Sequence, residues 1–483
     1  MLANLYFSSL VYSLTMKQFV SLILILFPIM ANAQMDTLKW HVPAPDHYAF
    51  IHYDENAITH HNELDSVFKK LVALHATHKG RVNIVHIGDS HLQADGITSV
   101  LRNGFQAYFG NAGRGLVFPY PLANTNGPKD LHASSNATWH SNRITNNTSP
   151  IETGICGYGM VSAHKDASVS VWLKDENGNP EYFNRMVFFL GKQKEDYLLT
   201  DSSKGNPVSL STLEEANSPS LVYESDALLS GCALTKTTFG DYQFYGVSLE
   251  RKDTCGVVYH TIGANGARYD QWANSNLFWQ QLKALNGDLF IISMGTNEAQ
   301  NPDLSEQTMA ALCDSMIHKI HQIAPGAPIL ITTPAGSYYK GKRPNAVLTK
   351  VTTGLIRSAE KNGAAWWDLY DISGGKKSPA AWKHSGLLGH DLVHYQPKGY
   401  QLQGQLLLNA FAKAYNNYAK LHPYNPEPVV HKKPTPKTIS KPKAEKKADA
   451  PVKPAPASES KKPTIQPDSM PVHQSKIRVK NEE

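Results

Sequence analysis

The strongest constraint on the fold is a repeated alternation between short apolar runs and stretches with helical periodicity. Residues 81–87 form a β-branched run that Gly88 ends, and apolar residues from Ile97 to Phe109 then recur at helical spacing. Strand–helix units return after residue 256, and the last helix begins near Gln396. Repeated units of this kind predict an α/β domain, with a parallel sheet covered by helices on both faces.

The stretch between these two parts, residues 150–256, has a different pattern. Helical periodicity is lost there, and short alternating runs are separated by Gly, Asn, Asp and Pro; the runs are 169–173, 186–190, 208–210, 221–223 and 242–249. Many short strands with turn residues between them are typical of a β-sandwich. We therefore predict an α/β domain in two parts, 34–149 and 257–422, with an all-β sandwich at 150–256 inserted between them.

The amino terminus has the pattern of an export signal. Met16-Lys17 precedes the apolar run 19–30, and Ala31-Asn32-Ala33 is a small-x-small cleavage pattern. We expect residues 1–33 to be a signal peptide with its true start at Met16, and the mature protein to be periplasmic, on the cell surface or extracellular. The run of twelve apolar residues is too short to span a bilayer, and no later run reaches the roughly 18 residues that a transmembrane helix needs.

Net charge argues against a nucleic-acid partner. The whole chain carries +6, but residues 423–483 hold 13 Lys+Arg and 7 Asp+Glu and account for all of it. The rest is balanced, so no domain shows the basic face that nucleic-acid binding requires. The same tail holds 12 of the 29 prolines and little apolar surface, which predicts a disordered segment. It is either a spacer or a loose electrostatic contact with the cell wall or another anionic surface.

Four short segments, far apart in the sequence, carry complementary chemistry. Three of them directly follow predicted strands, so they should meet at the carboxyl edge of the sheet, where open α/β sheets bind ligands. The fourth precedes the last helix and can reach the same edge. The segments are GDSH at 88–91, GANG at 263–266, GTNE at 295–298 and DLVH at 391–394.

Together the segments contain the groups of a serine esterase. A serine hydroxyl needs a neighbouring base, and an imidazole titrates near neutral pH, so we predict Ser90 as nucleophile, His394 as base and Asp391 as the residue that orients it. Asp89 is expected to cap the turn, and His91 is a poor base because neighbouring side chains on a turn diverge. Taken singly, Ser90 would more often be only a helix cap, and the Asp391/His394 pair an ordinary surface loop.

Acyl transfer also needs hydrogen-bond donors for the developing oxyanion. The backbone N–H of Ser90, the N–H of Gly266 and the side-chain amide of Asn297 are the candidates. Taken alone, each glycine could be an ordinary turn residue and Asn297 a loop-bridging amide. It is improbable, however, that four unrelated segments would occur by chance in this order at one edge of the sheet.

The four segments resemble those of the SGNH hydrolases, also called GDSL-type esterases. The resemblance implies a flavodoxin-like three-layer fold with a parallel sheet, and Ser90, Gly266, Asn297, Asp391 and His394 at the positions of that family's catalytic residues. Gly266 is preferred to Gly263 because the family's donor is the later glycine of its block. No metal or cofactor is implied.

Further motifs resemble bacterial peptidoglycan O-acetylesterases of this family, whose β module looks like a carbohydrate-binding jelly roll. The motifs are HIGDSH at 86–91, FGNAG at 109–113, GANGA at 263–267, GG at 374–375 and DLVH at 391–394. This resemblance implies removal of O-acetyl groups from peptidoglycan or a related acetylated polysaccharide. The alternatives are a plant-polysaccharide acetyl esterase or glycan O-acetyltransferase of the same fold, and a non-catalytic glycan-binding protein.

The four cysteines do not indicate a metal site, because no CxxC or paired-ligand spacing occurs. One disulfide among Cys156, Cys232 and Cys255 is possible, as is the alternative that all are free thiols.

Overall fold

The computed structural model describes residues 39–191, 195–202, 206–211 and 220–426. The predicted signal peptide, 1–33, and nearly all of the predicted disordered tail, 427–483, lie outside these ranges. Within them, no helix combines the length and apolar character needed to cross a membrane.

The strands, numbered in chain order, are β1 (Arg81–Gly88), β2 (Gly113–Val117), β3 (Leu131–Ser135), β4 (His140–Arg143), β5 (Tyr158–Ser162), β6 (Ser168–Lys174), β7 (Pro180–Glu181), β8 (Phe183–Leu190), β9 (Asp196–Asp201), β10 (Val208–Ser211), β11 (Leu221–Leu229), β12 (Gly231–Lys236), β13 (Tyr242–Glu250), β14 (Gly256–Gly263), β15 (Leu289–Ser293), β16 (Ile329–Thr332), β17 (Tyr338–Tyr339), β18 (Arg343–Pro344) and β19 (Ala365–Trp367).

The α-helices are α1 (Asp65–Thr77), α2 (Ser90–Gln93), α3 (Thr98–Phe109), α4 (Tyr269–Asn274), α5 (Asn276–Leu282), α6 (Glu306–Ile323), α7 (Val347–Lys361), α8 (Leu369–Ile372), α9 (Ser378–His384) and α10 (Pro397–Leu421). Short 3-10 turns occur between them, of which Glu298–Gln300 lies next to the predicted site.

A parallel sheet in the order β14-β1-β15-β16-β19 forms the centre of the α/β part. Most residues of its strands are apolar and buried, as expected for strands covered on both faces. One face packs on α4, α5, α6 and α7, through residues such as Ile87, Ile292 and Met316. The other face packs on α1, α3 and α10, through residues such as Ile84 and Phe411. The result is the three-layer α/β fold that the sequence predicted.

The β-rich stretch forms two antiparallel sheets. One has the strand order β10-β9-β12-β6-β3 with β7 at its edge, and the other has the order β11-β8-β13-β5-β4 with β2 paired to β13. Tyr197 of the first sheet and Tyr242 of the second are in ring contact at 5.5 Å. The same apolar cluster continues onto the parallel sheet at Val85 and Ile87. The inserted β module is confirmed, and its core is continuous with that of the α/β part.

The antiparallel sheets begin earlier in the chain than the predicted boundary at residue 150. Strand β2 pairs with β13, β3 pairs with β6, and β4 pairs with β5. Strands β3 and β4 have the sequences LHASS and HSNR, which contain one large apolar residue between them. Pairing with apolar partners from later in the chain, rather than their own hydrophobic pattern, makes these segments strands.

All four cysteines are free thiols in the structure. Cys156, Cys232 and Cys313 are buried, and burial raises the pKa of the Cys232 and Cys313 thiols to about 12. The disulfide considered among Cys156, Cys232 and Cys255 is therefore not formed.

Candidate active site

Three of the four predicted segments start on neighbouring strands at the carboxyl end of the parallel sheet. Gly88 ends β1 and is in register with Gly263 of β14 on one side and with Ser293 of β15 on the other. Gly295 follows Ser293 by two residues. The fourth segment, 391–394, lies in the loop between α9 and α10. The topology thus brings the first three segments to one edge, as the sequence predicted.

The turn that carries Ser90 is tight because a glycine precedes it. A Cβ atom on Gly88 would lie 2.6 Å from Leu92 Cδ1 and 2.7 Å from the carbonyl oxygen of Ser293. Asp89 caps α2 by accepting the backbone N–H of His91 at 2.9 Å, which is the role predicted for it. Ser90 is therefore the first residue of α2 and is partly exposed at the end of β1.

Ser90, His394 and Asp391 form one chain of hydrogen bonds. Ser90 Oγ lies 2.8 Å from His394 Nε2, although the two residues are 304 positions apart in the sequence. His394 Nδ1 lies 2.6 Å from Asp391 Oδ2. A proton on Nδ1 that is bonded to the carboxylate leaves Nε2 free to accept the serine proton. This is the arrangement that activates a serine hydroxyl.

The Asp391 carboxylate is fixed by its own loop. Its Oδ1 atom accepts the backbone N–H groups of Val393 at 3.0 Å and His394 at 2.9 Å, while Leu392 takes a left-handed conformation with φ of 62°. Partial burial favours the neutral acid, but the hydrogen bonds from His394 and the two backbone N–H groups outweigh it and hold the pKa of Asp391 below its ordinary value. The carboxylate therefore stays ionised while it orients the imidazole.

Two of the predicted oxyanion donors, Gly266 and Asn297, lie in the loops that follow the two flanking strands. Gly266 has a φ of 78°, and a Cβ atom there would have only Thr145 Cγ2, at 3.5 Å, in contact range. Asn297 Nδ2 lies 3.0 Å from the carbonyl oxygen of Ala267 and 3.3 Å from Asp89 Oδ2. Both amide hydrogens of Asn297 thus have acceptors within the protein, and the contact with Asp89 is the longer of the two.

Two buried carboxyl groups flank the Asn297 amide. Asp89 and Glu298 are 1% and 3% exposed. Burial raises the pKa of each to about 7, against partial compensation from backbone N–H donors: His91 for Asp89, and Tyr269, 2.7 Å from Glu298 Oε1, for Glu298. The negative charge of Asp89 also contributes to the raised pKa of Glu298. Two carboxyls that change charge near neutral pH therefore adjoin the site.

His91 packs beside the imidazole of His394 and does not bond to Ser90 in the described part of the chain. Its ring centroid is 5.3 Å from that of His394, and its Nδ1 atom is 3.2 Å from the Tyr400 hydroxyl. Burial and the proximity of His394 lower the pKa of His91 to about 3. A ring that remains neutral is a packing partner for His394.

Gln93, which sequence reasoning did not select, joins three parts of the site. Its Oε1 atom accepts the N–H of Asn265 at 2.7 Å and the hydroxyl of Tyr158 at 2.8 Å, and its Nε2 atom donates to the carbonyl oxygen of Asn126 at 2.7 Å. The side chain is 1% exposed. It links α2 to the glycine segment and to the β module. A polar residue at a helix position facing the core was the only sequence signal for it.

A grouping of side chains suited to a metal occurs elsewhere. Within the described ranges, His52, Glu55 and Asp371 are the residues that could jointly hold an ion, and all three are exposed. None of them belongs to the four segments, and they take no part in the site described here.

Residues 227–402 match the sequence profile of the GDSL-like lipase/acylhydrolase family. The matched range contains Gly266, Asn297, Asp391 and His394. This part of the chain is similar to GDSL-type hydrolases. Ser90 precedes the matched range, because the β module separates it from the other segments, and its place rests on its hydrogen bond to His394. The matched domain indicates that the protein is a carboxylic ester hydrolase.

Several solved structures are also similar to this chain. A peptidoglycan O-acetylesterase has a TM-score of 0.63 at 24% identity, and the match covers 73% of this chain and 96% of that one. An acetylxylan esterase from Geobacillus stearothermophilus (TM-score 0.24, 17% identity, 33% of this chain and 73% of that one) and a lipase/acylhydrolase from Enterococcus faecalis (0.26, 17%, 33% and 77%) are also similar. No curated protein sequence matches the hydrolase significantly.

Proposed function

We propose that this hydrolase is an exported serine carbohydrate esterase that removes O-acetyl groups from peptidoglycan or a related polysaccharide. The observation that carries the proposal is the hydrogen-bonded chain from Ser90 Oγ to His394 Nε2, 2.8 Å, and from His394 Nδ1 to Asp391 Oδ2, 2.6 Å. It supplies a nucleophile, a base and a carboxylate in the geometry that acyl transfer requires.

In the first half of the reaction, His394 Nε2 takes the hydroxyl proton of Ser90 as Oγ bonds to the acetyl carbonyl carbon. The bond between that carbon and the sugar oxygen then breaks. His394 returns the proton to the departing sugar oxygen, which leaves as a hydroxyl group. Asp391 remains ionised throughout and stabilises the imidazolium that forms in each transfer.

In the second half, a water molecule gives a proton to His394 and attacks the acetyl group on Ser90. Acetate leaves as the ester bond to Oγ breaks, and the proton returns to Oγ. No redox partner or cofactor is needed for these steps, because each proton that His394 accepts is returned within the same half-reaction.

The negative charge on the carbonyl oxygen is assigned to three donors: the N–H groups of Ser90 and Gly266 and the amide of Asn297. Because both hydrogens of the Asn297 amide already have acceptors, one must be redirected or shared. The 3.3 Å contact to Asp89 is the weaker one. We therefore assign the amide hydrogen that makes this contact to the oxyanion. Protonation of Asp89, whose pKa is about 7, would weaken it as a competing acceptor.

The choice of a glycan substrate rests on the β module and on the motifs at 109–113 and 374–375. The solved peptidoglycan O-acetylesterase shares the fold over 96% of its length and 73% of this chain, which supports this choice. Export rests on the sequence of residues 1–33, and a contact between the basic tail and an anionic surface remains part of the proposal.

The test is acetate release from O-acetylated peptidoglycan by the wild-type protein and by Ser90→Ala. We expect release by the wild type and a loss of about 10³-fold or more in the variant, whose folding is checked by thermal unfolding. Acetylated xylan and an acceptor glycan are assayed in parallel. Faster release from xylan would favour a plant-polysaccharide esterase, and acetyl transfer to the acceptor a transferase. Binding of peptidoglycan without acetate release from any substrate would leave only a glycan-binding protein.

A further inference from the structure

A short basic hairpin, residues 338–344, lies at the rim of the candidate site. Strand β17 pairs with β18, with Tyr338 opposite Pro344 and Tyr339 opposite Arg343. The turn between them has positive φ at two successive residues, 50° at Lys340 and 66° at Gly341, and the N–H of Lys342 bonds to the carbonyl oxygen of Tyr339 at 3.0 Å. This is the tight turn preferred in two-stranded hairpins, but with a lysine at a left-handed position where glycine or asparagine is usual.

The hairpin is attached to the loop that carries Asp391 and His394. The N–H of Tyr338 donates to the carbonyl oxygen of Leu392 at 2.8 Å, and the position of a Cβ atom on Gly341 is 3.8 Å from the carbonyl oxygen of Asp391. At its base, Asn345 is 2% exposed and donates its side-chain amide to the carbonyl oxygen of Ala299 at 2.9 Å. The hairpin is therefore held at a fixed place beside the catalytic loop.

Its cations are exposed and have no acidic partner. Lys340, Lys342 and Arg343 are all exposed, and none forms an ion pair with a carboxylate in the ranges that the structure describes. Lys340 Nζ and Arg343 Cζ lie 5.3 Å and 5.8 Å from the centroid of the Tyr339 ring, within cation–π distance. The ring keeps two of the three charges together, so that they produce a local positive potential at the rim.

We propose that the basic hairpin is a subsite for carboxylate groups borne by the polysaccharide whose acetyl ester is at Ser90. This inference rests on the proposed function and narrows its substrate to an anionic glycan. A polymer that places one acetyl group at Ser90 must pass the rim with its neighbouring substituents. The peptide side chains of peptidoglycan carry carboxylates, which Lys and Arg bind through charge-assisted hydrogen bonds, whereas xylan with neutral substituents offers none.

The first test compares the triple variant Lys340→Gln, Lys342→Gln, Arg343→Gln with the wild type on O-acetylated peptidoglycan and on 4-nitrophenyl acetate. We expect the ratio of kcat/KM on the polymer to kcat/KM on the small ester to fall about fivefold, mainly through KM, and the polymer rate to lose its salt dependence. The matched control is Lys69→Gln, Lys413→Gln, Lys420→Gln, which removes three exposed charges from α1 and α10 and should leave the ratio unchanged. An unchanged ratio in the hairpin variant would overturn the proposal.

A binding experiment separates this proposal from the proposed function. Both hairpin forms are made in the Ser90→Ala background, and each is sedimented with peptidoglycan whose carboxylates are either free or amidated. We expect substitution of the hairpin and amidation of the polymer to weaken binding similarly, with no further loss when they are combined. If the hairpin substitutions weaken binding equally on the free and the amidated polymer, the result would contradict a carboxylate subsite. If the wild type releases no acetate but this pattern holds, the esterase proposal fails and the subsite stands.

Discussion

At the scale of single residues, the least expected feature is that the Asn297 side-chain NH2 group already has two acceptors within the protein. Its Nδ2 atom donates to Asp89 Oδ2 and to the carbonyl oxygen of Ala267. One side chain therefore connects the turn before Ser90 with the loops that follow β14 and β15. Residue types alone suggest an oxyanion donor here. They do not reveal the competing acceptor, since the contact with Asp89 depends on a register between β1 and β15 that only the fold establishes.

Substitution of Asn297 measures its part in oxyanion stabilisation. We expect Asn297→Ala to lower kcat for acetyl ester hydrolysis by on the order of 10²–10³, with a small change in KM, because the donor acts mainly in the transition state. Asn301→Ala, at an exposed position on the same loop, is the control. A loss below about threefold in folded protein would argue against the assigned role.

Glu298 provides a test of the buried carboxyls. Its pKa is raised from 4.5 to about 7 in the folded protein, so the folded state binds the proton more tightly than the unfolded state does. Its stabilising contribution is thus complete below the unfolded pKa and is lost as the pH rises through the folded pKa.

Because glutamine does not titrate, the free energy of unfolding of Glu298→Gln should rise relative to the wild type by on the order of 1–3 kcal/mol between about pH 5 and about pH 8. Denaturant unfolding at the two pH values measures this. A constant difference between the two proteins would show that Glu298 is ionised throughout this range.

At the scale of elements, the position of α2 depends on close approach to β14. A Cβ atom on Gly263 would lie 2.5 Å from the backbone nitrogen of Gln93. Because this clash is with the backbone, no change of side-chain rotamer can relieve it. This contact fixes how closely α2, and with it Ser90, approaches the end of β14.

We expect Gly263→Ala to lower the free energy of unfolding by about 1–3 kcal/mol and to reduce kcat, because α2 and Ser90 must shift away from β14. Thermal unfolding and steady-state kinetics of the same preparation measure both effects. Retained kcat at wild-type stability would show that α2 adjusts without moving Ser90.

An element can be predicted from the sequence when its own apolar residues are the ones that it buries. Strand β1 and helix α10 bury their own apolar residues, and the limits of β1 and the start of α10 agree with the sequence prediction to within one or two positions. Strands β3 and β4 are polar and exist through their partners, so the β module was predicted to start too late. The hairpin at 338–344 and the Gln93 hub depend on contacts with distant segments, for which the sequence contains no periodic signal.

At the scale of the whole molecule, a buried ion-pair network connects the β module to the segment that follows α2. Asp95, shortly after α2, bonds to Arg102 of α3 at 2.7 Å and to Arg114 of β2 at 2.8 Å. Arg114 also pairs with Asp130, which precedes β3. Burial would raise the pKa of Asp95, but the two guanidinium groups lower it to about 2. The charges are compensated only while both parts of the fold remain in place.

Breaking this network should therefore cost more than breaking a surface ion pair. We expect Arg114→Met to lower the free energy of unfolding by about 3 kcal/mol, because it leaves buried carboxylates short of a partner. Arg357→Met, which removes an exposed pair with Glu306, should change it by less than about 1 kcal/mol. Equal effects in denaturant unfolding would mean that the β module and the α/β part are not coupled through these charges.

Covalent labelling tests most directly whether His394 activates Ser90. The protein is treated with a fluorophosphonate that reacts with activated serine hydroxyls, and the modified peptide is identified by mass spectrometry. We predict a single adduct on Ser90 that forms on the order of 10³-fold more slowly in His394→Ala. An adduct on another serine, or equal labelling of Ser90 in His394→Ala, would contradict the assigned site.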